Sequence, residues 1–287
     1  MTKHALPAIA VFLILLCSAR VATALAISTT ALLQSAQSDF QAGRFAAASV
    51  KYENLMERTL TTPQLRDVLP SFCESTLREG KLAGAESLAV LAKGKLVDLA
   101  ALARVSFLKG EILYFKGEMK EALEEYMDFL SANTENPLAN DAIDRLLLID
   151  ENGDGDGKPL DTYAHAEFLE FAGMPDSAVA TLRGLVKSFP GSQIMDEARM
   201  KMGDILSSQG KFSDAIEEYR VLEASFPQSE LVPVSKLKVA QLYSDRLHDR
   251  QKAAAECESV VTMFPGTSFA SKARNQLQKL KTVSSAP

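Results

Sequence analysis

The chain is poor in the residues that build catalytic and metal sites. Of 287 residues, three are histidine and three are cysteine. Beyond the first 26 residues the histidines are His165 and His248, and neither has a second histidine or cysteine at metal-ligand spacing. The sequence contains no nucleophile elbow, phosphate loop or dinucleotide fingerprint. It therefore predicts a protein that is not an enzyme and has no metal site or cofactor.

Positive charge is also scarce. The formal net charge is −6 at pH 7, and lysine and arginine do not form runs. Nucleic-acid binding depends on lysine and arginine that displace counterions, so nucleic acid is excluded as a partner. After residue 26 no segment is apolar enough to cross a bilayer as a helix, which takes about 20 residues. The expected partner is a protein or a peptide.

The first 26 residues form a pattern of their own. Lys3 and His4 precede an apolar run over residues 5–17, and small residues follow at Ala22, Ala24 and Ala26. A basic start, a short apolar core and A-x-A sites are typical of a cleaved secretory signal. We expect the mature chain to begin near residue 25 or 27. Export without a disulfide framework indicates the bacterial envelope, in the periplasm or at the periplasmic face of the outer membrane.

Cys17 leaves a second interpretation of this segment open. An acylated cysteine at this position would make the protein a lipoprotein. The residue before it, Leu16, is large, whereas lipoprotein signals have a small residue there. The ordinary cleaved signal is therefore favoured over a lipid anchor at Cys17.

The rest of the chain contains six copies of one short pattern. In the first five, a glycine is followed five residues later by alanine and preceded seven residues earlier by a small residue, and consecutive copies lie about 37 residues apart with one longer gap. The sixth copy is degenerate and has His248 near the glycine position. The five glycines are Gly43, Gly80, Gly117, Gly173 and Gly210. Repeats of this length with two helices each predict an all-α helix–turn–helix solenoid.

The fifth copy shows how such a unit folds. Its first helix is predicted over residues 195–209, with Gly203 small so that the neighbouring helix can approach. Gly210 ends this helix in a left-handed conformation, and Pro227 ends the second helix. Ala215 and Tyr219 lie on the inward face of the second helix. Cys73 and Cys257 occupy small packing positions four repeats apart, which predicts two buried, unpaired thiols.

These positions resemble those of the tetratricopeptide repeat family. Small residues at positions 8 and 20, a large residue at 24 and a proline at 32 correspond to Gly203, Ala215, Tyr219 and Pro227. The resemblance extends over about residues 31–281. The F-P-x-S turns of the last two copies are similar to a narrower group of envelope proteins: the tetratricopeptide lipoprotein of the outer-membrane β-barrel assembly machine and the periplasmic TolA-binding cell-division coordinator.

The resemblance and the spacing together predict a set of segments. They predict two repeat lobes with a break near residues 138–160 and a final helix that covers the last apolar face. The segments are a signal peptide (1–26), repeats one to three (27–137), an extra helix and acidic loop (138–159), repeats four to six (160–266), a capping helix (267–281) and a disordered tail (282–287).

The acidic loop between Asp150 and Asp161 resembles a calcium-binding loop of the EF-hand type. Asp150, Asn152 and Asp154 take the first three ligand positions and Asp161 the twelfth. Lys158 at the ninth position and the short Asp161 at the twelfth depart from that pattern. We favour a hydrated acidic turn in which Asp161 caps the next helix.

The family resemblance also implies a concave groove lined by the first helix of each unit. Carried over to the third and fourth copies, it places aromatic and acidic side chains in the groove, which suits a basic peptide with apolar anchors. The predicted groove residues are Phe107, Glu111, Tyr114, Phe115, Tyr163, Glu167, Glu170 and Phe171. The predicted function is thus a non-catalytic interaction scaffold of the bacterial cell envelope. The alternative is a structural subunit of a larger envelope or secretion assembly that uses its edges.

Overall fold

The structure is a computed structural model, and it describes residues 29–153 and 157–282. The predicted signal peptide, the middle of the acidic loop and all but the first residue of the predicted tail lie outside these ranges. Within the described residues every regular element is an α-helix and there is no β-strand. The all-α prediction is therefore confirmed.

Fourteen helices follow one another along the described residues, joined by short turns. Consecutive helices such as α10 and α11 pack as pairs, as the repeat predicts. The helices are α1 (29–41), α2 (Phe45–Met56), α3 (Thr62–Arg78), α4 (Leu82–Lys95), α5 (Leu99–Phe115), α6 (Met119–Ala132), α7 (Ala139–Asn152), α8 (Lys158–Phe171), α9 (Pro175–Ser188), α10 (Met195–Ser208), α11 (Phe212–Ser225), α12 (Val232–Asp245), α13 (Arg250–Met263) and α14 (Ser268–Thr282).

The chain divides into two compact units. Unit 1 runs up to Leu113 and resumes over Lys120–Leu146. Unit 2 comprises Tyr114–Met119 and the chain from Leu147 onward. The division after residue 146 falls inside the predicted break, whereas the assignment of Tyr114–Met119 to unit 2 is a feature that the sequence did not predict.

Helix pairs are brought together by a glycine facing a tyrosine. In α10 a Cβ atom on Gly203 would lie 2.4 Å from Cε1 of Tyr219 in α11, closer than carbon atoms can approach. The same relation joins Gly110 in α5 and Tyr126 in α6, where the distance would be 2.6 Å. Both tyrosines are buried. The small residue of the repeat is thus required by the ring that packs over it.

The turns between paired helices use a left-handed backbone. Gly210 has φ +76° after α10, and the chain reverses into α11 within four residues. In the sixth copy the corresponding residue is His248, with φ 54°, the one non-glycine residue with positive φ among the described residues. A side chain in this conformation is strained, so the sixth turn has a higher energy than a glycine turn. It spans residues 246–249 and is one residue longer than the turn over residues 209–211.

The segment between the third and fourth copies, residues 138–159, is helical further along the chain than predicted. Asp150 and Asn152 belong to α7 rather than to a loop. Asp161 lies within the first turn of α8 and does not cap it, since the residue at the cap is Gly157. The proposed cap at Asp161 is therefore wrong. The structure describes no group of three or more metal-ligating side chains within its two ranges, and Asp154 lies outside them.

Both cysteines of the repeats are buried and unpaired, as predicted. Burial raises the pKa of the Cys73 thiol to about 12 and that of Cys257 to about 11. Such thiols stay protonated at neutral pH and act as small apolar packing groups. Among the described helices, none is long and apolar enough to cross a membrane.

Candidate functional site

Most aromatic residues of the predicted groove lie in the protein interior. Tyr114 is fully buried, Phe115 is 4% exposed and Tyr163 is 5% exposed. The expectation that these three rings face solvent and await a ligand is therefore wrong. Phe107 and Phe171 are half-buried.

These rings form two packed clusters instead of a binding surface. In unit 2 the Phe115 ring lies 5.6 Å from Phe168 and 5.7 Å from Phe171, centroid to centroid. In unit 1 Phe107 packs 5.8 Å from Phe129. Aromatic pairs at these distances stabilise a core beyond their buried area. Segment Tyr114–Met119 is joined to unit 2 by this packing.

The predicted groove carboxylates also have partners within the chain. Glu111 is 8% exposed and accepts a hydrogen bond of 2.6 Å from the Tyr126 hydroxyl. Its two carboxylate oxygens also accept hydrogen bonds from Nε and Nη2 of Arg145, at 2.8 Å and 3.1 Å. A bidentate pair with arginine is a strong charge-assisted interaction. Glu111 is thus neutralised inside unit 1.

The same arrangement recurs in the next two copies. Glu167, buried in α8, accepts from the Tyr114 hydroxyl at 2.8 Å and pairs with Lys201 at 2.9 Å. Lys201 also reaches Glu170 at 3.4 Å. In each case the basic residue comes 34 positions after the acid, on the first helix of the following unit. Because Arg145 and Lys201 neutralise them, these carboxylates give no reason to expect a basic ligand.

The third such acid is Asp204 in α10. It accepts a 2.6 Å hydrogen bond from the Tyr219 hydroxyl and pairs with Lys238 at 2.8 Å, again 34 positions on. Burial, together with this hydrogen bond and the nearby negative charge, raises the pKa of Tyr219 far above its usual value. Tyr219 therefore remains a hydrogen-bond donor at every physiological pH. We call these three acid–cation pairs the charge ladder.

Glutamate pairs on the second helix of a repeat are predicted to face solvent, but Glu125 in α6 is buried. Adjacent glutamates such as Glu124 and Glu125 are expected on a solvated face, but Glu125 is 6% exposed and contacts Lys93 and Lys109. Burial alone would raise its pKa, yet the hydrogen bonds from Lys109 and Lys93 outweigh burial and lower it. Glu125 is thus a structural ion-pair centre in unit 1.

Two cavities that are open to solvent lie further along the chain, in unit 2. One cavity of about 600 Å³ lies against α12 and α14, and a second of about 420 Å³ lies against α10 and α12. They adjoin at Gln241 and Asp245, which line both. We call the two cavities together the C-terminal groove.

The groove positions of the family point to this place when they are applied to the later copies. These positions lie one, four and five residues after the small residue of the first helix. In α10 and α12 they hold polar, non-aromatic side chains, and all of them line the C-terminal groove: Asp204, Ser207, Ser208, Gln241, Ser244 and Asp245. In α5 and α8 the same positions include Tyr114, Phe115 and Phe171, which fill the space instead.

The C-terminal groove is polar, and its charge is uneven. The α12–α14 cavity is lined by Arg250, Lys272 and Lys279 with one carboxylate, Asp245. The α10–α12 cavity is balanced, with Lys238 and Arg246 facing Asp204 and Asp245. Uncharged donors and acceptors are also present: Gln241 lines both cavities, and Gln276 lines the α12–α14 cavity. Such a surface can hold an extended chain by hydrogen bonds and by charge, with little apolar anchoring.

Comparison with known proteins supports the repeat assignment. Residues 163–192 and 197–229 match the family model of the tetratricopeptide repeat. These segments cover most of α8 to α11 and coincide with the fourth and fifth copies of the repeat. No curated protein matches the chain.

Solved structures with similar helix arrangements are tetratricopeptide proteins of low sequence identity. The tetratricopeptide domain of P58(IPK) is 15% identical, with a TM-score of 0.39, over 94% of this chain and 70% of that one. A repeat protein from Parabacteroides merdae is 17% identical, with a TM-score of 0.36, over 88% and 99%. YrrB, described as having an unusual peptide-binding site, is 17% identical, with a TM-score of 0.35, over 78% and 96%.

Proposed function

We propose that this protein is a non-catalytic scaffold that binds a peptide or an extended segment of another protein in its C-terminal groove. Tetratricopeptide repeats generally mediate protein–protein interactions. The observation that supports the proposal is the open polar groove along α10, α12 and α14. It lies at the positions through which first helices of this family contact ligands.

The burial of the predicted aromatic anchors favours this groove over the third and fourth copies. Tyr114 and Tyr163 could bind a partner only if the packing of α8 were opened, because both are buried in the free protein. Gln241 and Ser244 in the C-terminal groove need no such rearrangement. A preformed site binds without the free-energy cost of ordering or unpacking side chains.

The bacterial envelope is part of the proposal. The basic, apolar and small residues of positions 3–26 support export, and these residues lie outside the described ranges. The mass of the mature protein, isolated from its own cells, identifies the first residue. A start at residue 25 or 27 supports a cleaved signal, and an acylated start at Cys17 supports a lipid-anchored form.

The groove is tested by filling it. We expect Ser244→Trp, which places a large side chain in the α12–α14 cavity, to abolish binding of peptides selected from a random twelve-residue display library on the wild-type protein. Ser188→Trp is the matched control, because Ser188 is exposed at the end of α9, away from the groove. Melting temperatures of both variants show whether the fold is retained.

Three results are informative. Loss of binding in Ser244→Trp with retention in Ser188→Trp supports the groove. Equal binding by both variants means that the ligand surface lies elsewhere. Failure of the wild-type protein to select any peptide contradicts peptide binding itself.

A further inference from the structure

We propose that the α12–α14 end of the C-terminal groove selects an acidic peptide segment, one with at least two carboxylates close together in sequence. This inference rests on the proposed function and specifies the chemistry of the partner. An acidic ligand is opposite in charge to the basic peptide that the carboxylates of the third and fourth copies predict from the sequence. The whole protein is acidic, with a net charge of −6, so a cationic groove is a local departure from its surface.

Two cations of this end, Arg250 and Lys272, are exposed. Arg250 begins α13 and Lys272 lies on α14, and both are exposed while lining the cavity. Within the described residues neither Arg250 nor Lys272 forms an ion pair. The ammonium group of Lys272 lies 5.7 Å from the centroid of the Phe269 ring. Lys279 lines the same cavity. By contrast, the ladder cations Arg145, Lys201 and Lys238 are each held by an acid of the chain.

The carboxylates that face the groove do not cancel this charge. Asp204 is bound by Tyr219 and Lys238. Asp249, at the N-terminus of α13, pairs with Lys252 at 3.0 Å and caps its helix. Asp245 remains as the one carboxylate that lines the α12–α14 cavity, where it faces the two exposed cations Arg250 and Lys272. An acidic ligand gains attraction here that a neutral or basic ligand does not.

Uncharged groups along the groove supply the remaining recognition. Gln241, Asn275 and Gln276 line the α12–α14 cavity and can hydrogen-bond the backbone of an extended peptide. The adjoining cavity continues past Ser207 and Ser208. We therefore expect the acidic residues of the ligand to lie against α14 and the rest of its chain to follow α12 towards α10.

Three labelled peptides of equal length and equal apolar content test the proposal. They differ at four positions, which are all glutamate, all glutamine or all lysine, and binding to the full chain is measured by fluorescence anisotropy at low and physiological salt. We expect the glutamate peptide to bind about tenfold more tightly than the glutamine peptide, and its affinity to fall as salt rises. The lysine peptide should bind most weakly.

A charge reversal in the groove and a matched reversal outside it complete the test. Arg250→Glu with Lys272→Glu should remove the preference for the glutamate peptide. Arg183→Glu with Lys187→Glu makes the same change in charge on exposed residues of α9, and should leave the preference intact. All four residues are exposed, so both double variants should fold.

The outcomes separate this inference from the proposed function. If the glutamine or lysine peptide binds as well as the glutamate peptide and Ser244→Trp blocks it, the groove binds peptides but the acidic selection is wrong. If both double variants lower the affinity for the glutamate peptide equally, the attraction depends on the overall charge of the protein. The proposed acidic-peptide site is then refuted. If no peptide binds, both proposals fail. Both also fail if the anisotropy changes only because the protein associates with itself.

Discussion

The Gly203→Ala substitution tests how the helix pairs pack. The new Cβ atom would lie 2.4 Å from Cε1 of Tyr219 and 2.8 Å from Cδ1 and Cζ. Carbon atoms in contact prefer about 3.5–4.0 Å, so the ring must move by about 1 Å. Its hydroxyl would then leave Asp204, to which it donates a 2.6 Å hydrogen bond.

The expected change in stability follows from three opposing effects. Alanine is favoured over glycine inside a helix by about 1 kcal/mol. Overpacking a buried contact costs about 1–3 kcal/mol, and losing a hydrogen bond to a charged group costs about 1.5–3 kcal/mol. The unfavourable effects exceed the helix preference, so Gly203→Ala should lower the free energy of unfolding by about 2 kcal/mol. Urea unfolding of the full chain, followed by circular dichroism, measures it.

Gly184→Ala is the matched control for this substitution. Gly184 lies inside α9, and a Cβ atom there would meet nothing within 4 Å. The same change should therefore stabilise the protein by about 1 kcal/mol, the helix preference alone. Opposite signs at Gly184 and Gly203 would show that packing decides the outcome at Gly203.

A second substitution should restore much of the loss. In the fourth copy the same two positions hold Ala166 and Leu182, and both are buried. Adding Tyr219→Leu to Gly203→Ala recreates that natural combination and should cost less than the two single effects summed. The reasoning is refuted if Gly203→Ala is as stable as the wild type, or if the two substitutions are additive.

Two further predictions concern single side chains. His248→Gly should stabilise the protein by about 0.5–1 kcal/mol, because it removes the strain at φ 54°, whereas Ser244→Gly inside α12 should destabilise it; thermal melting compares them. Burial, followed by hydrogen bonding with and repulsion from Asp196, raises the pKa of Glu197 to about 8, so the folded protein holds this proton more tightly than the unfolded chain. Stability should therefore fall as pH rises from about 4.5 to 8, and Glu197→Gln should remove part of that fall, on the order of 1 kcal/mol; parallel pH dependences of wild type and variant would contradict this.

The fold could be predicted from the sequence because each helix pair repeats the same local sequence pattern. Gly203 and Gly210 mark the close contact and the end of α10, and the structure has both features. The helices α10 and α14 lie within about one residue of their predicted bounds, 195–209 and 267–281. The extent of α7 was predicted less well, because nothing in the sequence marks its C-terminal end before residue 152.

The position of the groove could not be taken from family positions alone. Tyr114 and Ser207 occupy equivalent positions in α5 and α10, but a tyrosine at this position fills the space that a serine leaves open. One sequence signal could have revealed this. An acid followed by a basic residue 34 positions later occurs at Glu111, Glu167 and Asp204, and such a spacing indicates internal pairing rather than a free carboxylate.

The charge ladder also shows which helix of a repeat the extra helix α7 corresponds to. Arg145 in α7 pairs with Glu111, and Lys201 in α10 pairs with Glu167 at the same spacing in sequence. Because α10 is the first helix of its repeat, α7 corresponds to a first helix as well. The residue of α7 at the position of Gly203 is Leu147, which is 51% exposed. A leucine is compatible there because the next described helix, α8, is the first helix of the fourth copy, so the tyrosine of a second helix does not pack over Leu147. The centre of the chain thus contains the first helix of a repeat without the second helix of that repeat.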